Sequence, residues 1–573
     1  MNEFLQKKLS DYLLEDPEKK NKDELIALKG KKEKHAELED RLSSFLKFGT
    51  AGLRAKMEAG YKRMNLVSVY RLAYALSLEV KAQNHRTALV VVGYDARHNS
   101  YKFACEVVSV LDRCNIPSLM FSECVPTPLC AFATRNLNAT FGVMITASHN
   151  PGSDNGIKLY DSKSRQLYGE SLKRIENNMI TAPMRNDFLN SHEKVPTLSK
   201  SIDQSVIDEY FRKIKSSRFF DEDDLDKSLA IVYTAFHGVG KKYFLRALNE
   251  SGFYQIEIVK KQSEPDGDFP TLDFPNPEEK NALDLAYVKA DESKISWVFA
   301  NDPDADRLQV ACRDDDGKFK KLSGNEMGCL LGYFSLDKGI KEGVNPLVAS
   351  SIVSSRMLKN IAKSLGAFYV DGLTGFSNIA HAAIEQEKKT NAKFVFAYEE
   401  AIGFLVGKIV LDKDGINAAV HFMEIAAYLS KEKISVWNFL NQLYLQFGLH
   451  LNVQWSKRFK GIHAHDEMNR VMKKLRLLSE NEIIPYHGNC WVKHDLSQPQ
   501  NKGPYEKVIA DIIIFEITNL GRLIIRPSGT EPKIKFYLEL MNFDVNKIEL
   551  EDQKLSLQSE LSNYQKIIEQ IVG

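Results

Sequence analysis

Short apolar runs rich in β-branched residues recur along the chain with helical patterns between them, and this alternation limits the fold more than any other feature. Ala88–Gly93 reads ALVVVG, and Ser118–Phe121 and Phe141–Thr146 (FGVMIT) follow, each after a stretch of helical periodicity. The rhythm returns at Leu229–Thr234, Ile256–Val259 and Trp297–Ala300, then at Leu347–Ser351, Ala367–Val370 and Phe394–Tyr398. Near-continuous apolar runs separated by helices are what strands buried on both faces require, so three consecutive parallel-sheet α/β domains are expected. Ile509–Thr518 (IADIIIFEIT) and Leu523–Arg526 lie close together, and a helix is expected from about Ile548. That spacing predicts adjacent strands and a C-terminal α+β domain.

A chain of 573 residues suggests about four domains at roughly 150 residues each. Before the first strand, Met1 to about Leu46 is rich in lysine and glutamate, with Leu5, Leu9, Tyr12, Leu13 and then Leu38, Leu42, Phe45 at helical spacing. A solvated helical arm is expected there. The resulting division is an arm over 1–47 and domains over 48–204, 205–317, 318–447 and 448–573. Linkers are placed near Lys200–Ser205, Asp314–Lys321 and Leu445–Asn452, and a loop over Asp495–Lys507, from their polar or glycine punctuation.

Lys+Arg 77 against Asp+Glu 76 leaves a net charge of +1. No global excess exists to attract a polyanion or an acidic membrane, so neither nucleic acid nor membrane is an expected partner. No apolar run of about 18 residues occurs. The opening MNEFLQKKLSDYLLEDPEKK carries acids and lysines where a signal peptide has its apolar stretch. Seven cysteines form no CxxC pair. A cytoplasmic protein is expected.

Four loops carry chemistry. Thr146-Ala-Ser-His-Asn-Pro-Gly-Ser-Asp-Asn-Gly-Ile-Lys158 leaves an apolar strand. It reads either as a plain turn around Asn150-Pro151-Gly152 or as a site where Ser148 beside His149 is activated or phosphorylated. Asn301-Asp-Pro-Asp-Ala-Asp-Arg307 also ends a strand. Alternate residues of an extended segment project to one side, so Asp302, Asp304 and Asp306 can aim three carboxylates at one Mg²⁺. Without a cation they repel one another by several kcal/mol at an effective dielectric of ~20. The other reading, an acidic turn, does not explain their place at a strand's carboxyl end.

Phe396-Ala-Tyr-Glu-Glu-Ala-Ile-Gly403 and Leu411-Asp-Lys-Asp-Gly415 come next. Glu399 and Glu400 can accept hydrogen bonds from sugar hydroxyls, and Lys413 can exchange a proton if its pKa is lowered. A glutamate-favouring helix start and an ordinary Lys-Asp-Gly turn are the alternatives. Last, Arg526-Pro-Ser-Gly-Thr-Glu-Pro-Lys533, with Lys535 beyond it, combines a guanidinium, hydroxyls and glycine-freed amides in what is either a phosphate cradle or a basic turn. Phe48-Gly-Thr-Ala-Gly-Leu-Arg54, with Asp95-Ala-Arg97, adds cationic equipment in the first block.

In order and composition these loops resemble the α-D-phosphohexomutase superfamily over essentially the whole chain from Phe48. TASHNP is similar to its phosphoserine loop, NDPDADR to its metal loop, EEAIG to its sugar loop and RPSGTEPK to its phosphate loop. FGTAGLR, TASHNPGSDNGIK, LDKDG and SGTEPKIKFY are most similar to the eukaryotic phosphoglucomutase-2 branch, whose members act as phosphopentomutases as well as phosphoglucomutases. The resemblance implies four domains around a central cleft. Ser148 is then the phosphorylated residue, sharing Mg²⁺ with Asp302, Asp304 and Asp306, and Arg307 lies beside the metal. Glu399 and Glu400 bind the sugar, and Arg54, His149, Lys158 and Lys413 serve proton transfer and charge stabilisation. Arg526, Ser528, Gly529, Thr530 and Lys535 hold the phosphate that is not reacting.

The implied enzyme is a monomeric phosphomutase for small sugar phosphates, moving phosphate between the anomeric and primary hydroxyls of ribose or glucose. It works through phosphoserine and a bisphosphate, and takes a sugar bisphosphate such as glucose 1,6-bisphosphate as activator. A bisphosphate synthase and a non-catalytic phosphosugar-binding protein are the rivals. Two departures bear on the substrate. Ala401 stands where hexose-specific relatives carry serine, and Ser377-Asn378 follow Asp371–Phe376 where relatives commonly have a lysine.

Overall fold

The computed structural model describes residues 1–49, 51–83, 88–191, 197–461, 463–479, 491–498, 509–517, 520–529 and 532–573. The chain divides into two compact units, Met1–Ser351 with Phe368–Lys433, and Ile352–Ala367 with Ile434–Gly573.

In the first unit the apolar runs form the centres of three sheets. Val90–Tyr94, Phe141–Ile145 and Ser118–Met120 are parallel, as are Ile231–Thr234, Ile256–Ile258 and Trp297–Ala300, and then Pro346–Ser351, Phe368–Gly372 and Lys393–Glu399. Each sheet is nevertheless mixed, because a central parallel strand turns back into an antiparallel neighbour. Phe141–Ile145 pairs with Asp154–Asp161, Trp297–Ala300 with Gln309–Arg313, and Lys393–Glu399 with Gly403–Val406. The connections across these three returns are the TASHNP, NDPDADR and EEAIG loops, so one topological device places all three at the carboxyl ends of parallel strands.

The returning strands carry polar residues among the apolar ones, which is why they do not stand out as buried runs. Asp154–Asp161 reads DNGIKLYD, with Lys158 fully inside. Asp314–Lys321, expected as a linker, is a hairpin of the second sheet in which Phe319–Lys321 pairs with Gln309–Arg313. Lys200–Ser201, at another expected linker, adds a short edge strand to the first sheet.

The N-terminal arm is helical over Glu3–Glu15, Lys19–Lys29 and His35–Leu42, but only its outer face is solvated. Leu5, Leu9, Tyr12, Leu25, Leu38 and Leu42 are buried in one cluster with Ala59, Tyr61 and Val67. Each buried leucine contributes about 1.5–3 kcal/mol, enough to hold the arm against the domain. Glu15, with no exposed surface, pairs with Arg71 at 2.9 Å. The lysines and glutamates of the outer face conceal this stripe in the composition.

The second unit is built on an antiparallel sheet in the order Leu449–Arg458, Lys533–Asn542, Gly521–Pro527, Ile513–Ile517, Val492–Asp495, with the terminal helix Leu550–Val572 packed on it. The expected linker near Leu445–Asn452 is instead the end of the helix Val436–Phe447 and the start of the first of these strands. Most of the loop expected over Asp495–Lys507 lies outside the described residues. Among the described residues, no helix is long and apolar enough to cross a membrane.

Candidate active site

Each of the three returning loops holds one non-glycine residue in the left-handed region: Ser148 at φ +53°, Ala305 at +53° and Ile402 at +52°. A side chain there costs on the order of 1–2 kcal/mol, a strain that persists only where surrounding contacts enforce it. For Ser148 the enforcement is visible. Its amide donates to Thr146 Oγ1 at 2.9 Å, and the buried Arg97 donates to the carbonyls of Ser148, Asn150, Pro151 and Asp154. Arg97 thus braces the loop from beneath.

Ser148 Oγ donates to Asp302 Oδ2 at 2.8 Å and lies 3.2 Å from His149 Nδ1. The three aspartates offer carboxylate oxygens within 4.8 Å of one another. An extended segment does not bring them together as expected; the turn at Ala305 does. Asp302 Oδ1 accepts from the Arg307 amide at 3.0 Å. Lys158 Nζ donates to Asp304 Oδ2 at 2.7 Å and to Asp306 Oδ2 at 2.6 Å. Asp304 Oδ1 and Asp306 Oδ1 are buried and accept no hydrogen bond from a described residue.

Burial, with Asp304 and Asp306 alongside, pushes Asp302 well above the usual carboxylate range. Burial opposes charge on Asp304 too, but Lys158 and the Thr127 hydroxyl hold it below that range. Two buried oxygens without a hydrogen bond, beside a carboxylate that resists ionisation, are what an oxygen-preferring divalent cation such as Mg²⁺ relieves. The residues therefore fit the metal.

Burial also lowers His149 well below the ordinary histidine value, helped by Arg307, Arg54, Arg97 and Lys158, so its ring is neutral. For Lys158 and Lys413 burial acts against the charge, but the carboxylates outweigh it. Asp304 and Asp306 raise Lys158, and Asp306, Asp412 and Glu399 raise Lys413. The lowered pKa that would make Lys413 a base is thus replaced by its opposite: Lys413 is a fixed cation, 3.5 Å from Asp306 Oδ2. Arg54 donates to Asn150 Oδ1 at 3.1 Å.

The sugar-type loop docks directly on the aspartate loop. The Leu308 amide donates to the Ile402 carbonyl at 3.2 Å, and Arg307 bridges to Gly403. A Cβ at Gly403 would come within 2.3 Å of the Lys413 side chain, and one at Gly415 within 2.3 Å of the Arg307 carbonyl, so both positions need glycine. Glu399 Oε1 accepts from the Gly375 amide at 2.8 Å, and Glu400 Oε2 from Ser351 at 2.8 Å. Burial raises Glu399, with Lys413 opposing. Ser377 is buried in the first turn of the helix Phe376–Lys389.

One contributor escaped the sequence reading. Between Ile256–Ile258 and the helix Asp284–Ser293, the stretch EPDGDFPTLDFPNPEE packs against the serine loop: Phe269 under Arg97 at 4.9 Å and Phe274 edge-on to His149 at 5.8 Å. Glu278 reaches Arg307 at 3.3 Å. Its signal was its length without strand or helix, since such loops in compact domains are usually functional.

In the second unit, Arg526 and Lys535 stand directly opposite each other in the Gly521–Pro527/Lys533–Asn542 hairpin. The register thus brings two cationic side chains to one stretch of the hairpin. The Ser528 amide donates to the Lys533 carbonyl at 2.8 Å, and a Cβ at Gly529 would meet nothing within 4 Å among the described residues. Thr530 lies outside the described residues.

Comparisons with known proteins agree with this geometry. Residues 46–185, 208–317 and 323–447 match alpha/beta/alpha domains I, II and III of phosphoglucomutase/phosphomannomutase, and 495–542 its C-terminal domain. A Haemophilus influenzae protein named probable phosphomannomutase is 35% identical over 84% of this chain and 94% of its own. The human phosphopentomutase and the human glucose 1,6-bisphosphate synthase are each 34% identical, over 88% of this chain and 86% and 85% of theirs. The crystal structure of parafusin, a phosphoglucomutase of Paramecium, superposes with a TM-score of 0.67 at 18% identity, covering 91% of this chain and 96% of that one, a likeness of fold.

Proposed function

Because the chain belongs to the phosphoglucomutase/phosphomannomutase family, we propose that it is a phosphomutase interconverting sugar 1-phosphates with 5- or 6-phosphates, pentose phosphates among them. The observation that carries the reading is the hydroxyl of Ser148, strained in conformation and 2.8 Å from a cluster of three aspartates.

In this reading phospho-Ser148 gives its phosphoryl group to the free hydroxyl of the bound sugar phosphate: the P–Oγ bond breaks as the sugar O–P bond forms, and the proton leaving the sugar hydroxyl ends on Ser148 Oγ. The bisphosphate reorients, and its other phosphate returns to Ser148 Oγ. On that return the Oγ–P bond forms as the bond from phosphorus to the sugar oxygen breaks, and the proton leaving Oγ ends on that oxygen; neutral His149, whose Nδ1 is 3.2 Å from Oγ, is the group assigned to pass it on once the hydroxyl turns from Asp302. Lys158, Lys413, Arg54 and Arg307 remain charged and stabilise the phosphoryl oxygens as they gain charge. Asp302, Asp304 and Asp306 would hold Mg²⁺ together with the phosphate on Ser148, and when bound it would supply further neutralisation of those oxygens. Glu399 and Glu400 orient the sugar through its hydroxyls. Arg526, Ser528, Gly529, Thr530 and Lys535 bind the phosphate that is not transferring. The reading includes a sugar bisphosphate activator, a cytoplasmic setting and action as a monomer.

The similarity to glucose 1,6-bisphosphate synthase supports a second reading, in which a high-energy phosphate donor charges Ser148 and the bisphosphate is released. Intact-mass and peptide analysis of the active protein tests the shared step: a phosphoryl adduct on Ser148, lost and regained on addition of sugar phosphate, is expected. Active protein without it would refute both readings. Product analysis separates them, since a mutase releases monophosphate isomer and a synthase releases bisphosphate in proportion to donor consumed.

A further inference from the structure

We propose that Thr127, in the first α/β domain, is a positioning residue for the aspartate triad, and that through it cation binding is coupled to the docking of the first sheet's helix on the second sheet's loop. The proposal rests on reading the triad as a cation site.

Thr127 opens the helix Thr127–Asn136 and has no exposed surface. It stands between Pro126 and Pro128, whose rings fix φ near −65° and set the helix start rigidly. Pro126 cannot cap the helix with a side chain, so the first amides depend on partners from outside. The Thr127 amide finds one 177 residues away, donating to the Asp304 carbonyl at 2.9 Å. Its hydroxyl donates to Asp304 Oδ2 at 2.5 Å. One residue thus holds another at two points, one on the main chain and one on the carboxylate.

The second point fixes the plane of the carboxylate. Rotation of an aspartate carboxylate about χ2 is broad, so the side chain does not set by itself the angle at which its second oxygen meets the triad. Thr127 and Lys158 together occupy Oδ2. Oδ1 is left buried, with no hydrogen bond from a described residue, as the oxygen able to ligate. Lys158 alone sets the orientation less firmly, because its ammonium is shared with Asp306 Oδ2 at 2.6 Å. By linkage, a cation on Oδ1 stabilises the same rotamer and therefore the contact with Thr127.

The test is Mn²⁺ affinity, measured by paramagnetic resonance on the full chain without sugar phosphate, for wild type, Thr127→Val, Thr127→Ser and Asp304→Ala. Loss of a group that orients a metal ligand typically weakens binding ten- to hundredfold. Thr127→Val, isosteric but without the hydroxyl, is expected to bind Mn²⁺ about tenfold or more weakly, and Thr127→Ser within about twofold of wild type. Thr127→Val within twofold of wild type, or Thr127→Ser as weak as Thr127→Val, overturns the role of Thr127 while the cation reading stands. Wild type with no more saturable binding than Asp304→Ala overturns the cation reading and this proposal with it. Should Thr127→Val fail to fold, hydrogen exchange on wild type decides: Mg²⁺ is expected to slow exchange of the Thr127 amide, and unchanged protection refutes the coupling.

Discussion

The hydroxyl of Tyr210 lies 2.9 Å from both carboxylate oxygens of Asp414, a residue 204 positions further along the chain. Asp412, two residues earlier, accepts from Tyr160 at 3.1 Å. Lys413 therefore sits between two aspartates, each anchored by a buried tyrosine from elsewhere in the unit. Asp414 also accepts from the Ile416 and Asn417 amides at the start of the helix Gly415–Lys431. A single loop thus has its backbone fixed by a helix cap and its flanks fixed by tyrosines, leaving the lysine aimed at Asp306.

Tyr210→Phe removes a hydrogen bond to a carboxylate and leaves that carboxylate buried. A loss of about 1.5–3 kcal/mol in stability is expected, the range for bonds to charged groups. Turnover should fall as well, because Lys413 loses one of its anchors. Urea unfolding together with kcat and KM for a sugar phosphate checks this; unchanged stability and kcat would contradict it.

Removing divalent metal should abolish turnover. Burial and the neighbouring Asp304 and Asp306 oppose charge on Asp302, and a divalent cation would relieve that opposition. Dialysis against a chelator is expected to eliminate activity, and excess Mg²⁺ to restore it. Full activity in persistent excess chelator would rule out the metal assignment.

Arg526→Ala should weaken sugar-phosphate binding, since a bidentate charge-assisted contact contributes about 1.5–3 kcal/mol, or roughly ten- to hundredfold. The KM is expected to rise by that factor while Ser148 still carries phosphate by intact mass. A wild-type KM would show that the phosphate is held elsewhere.

Ala401 bears on sugar choice. A site that lacks a hydroxyl partner rejects neither of two sugars strongly, whereas one built to bond that hydroxyl discriminates. Wild type is expected to use ribose 1-phosphate at least as well as glucose 1-phosphate, and Ala401→Ser to shift kcat/KM toward glucose. A wild-type preference for glucose above about tenfold, or ~1.4 kcal/mol, would exclude this.

In the second unit, Glu539 predicts acid sensitivity. Burial opposes its charge, but Arg522, His450 and the Ser355 hydroxyl outweigh it and lower it to about 2, from an ordinary 4.5. A carboxyl depressed on folding contributes stability that is complete above pH 4.5 and lost as pH falls toward 2, about 3 kcal/mol in all. Trp437, Trp455 and Trp491 lie in this unit, so fluorescence-detected urea unfolding between pH 6 and 3 reads it. Glu539→Gln should be less stable at pH 6 and show a flatter slope below pH 4.5; a slope equal to wild type would assign the acid sensitivity to other groups.

The alternation of apolar runs with helices, and the four loops at their ends, were legible because each is a property of neighbouring residues. Trp297–Ala300 is a strand over the span read from its composition, and Ser148, Asp302, Asp304 and Asp306 lie together, the aspartates through the turn at Ala305 rather than through extended spacing. The antiparallel returns were not legible: a strand such as DNGIKLYD buries a lysine whose charge is tolerable only between Asp304 and Asp306, carboxylates of another domain. The same holds for the arm, whose buried leucines need Ala59, Tyr61 and Val67 to cover them. Lys413 shows the limit most plainly, since its pKa depends on how far it is buried and on which carboxylates surround it. Residue types and local spacing carry the chemistry a loop can offer. Burial and neighbours brought from 154 or 204 residues away, as with Ser148 and Asp302 or Tyr210 and Asp414, set the charge each group holds and the direction in which it points.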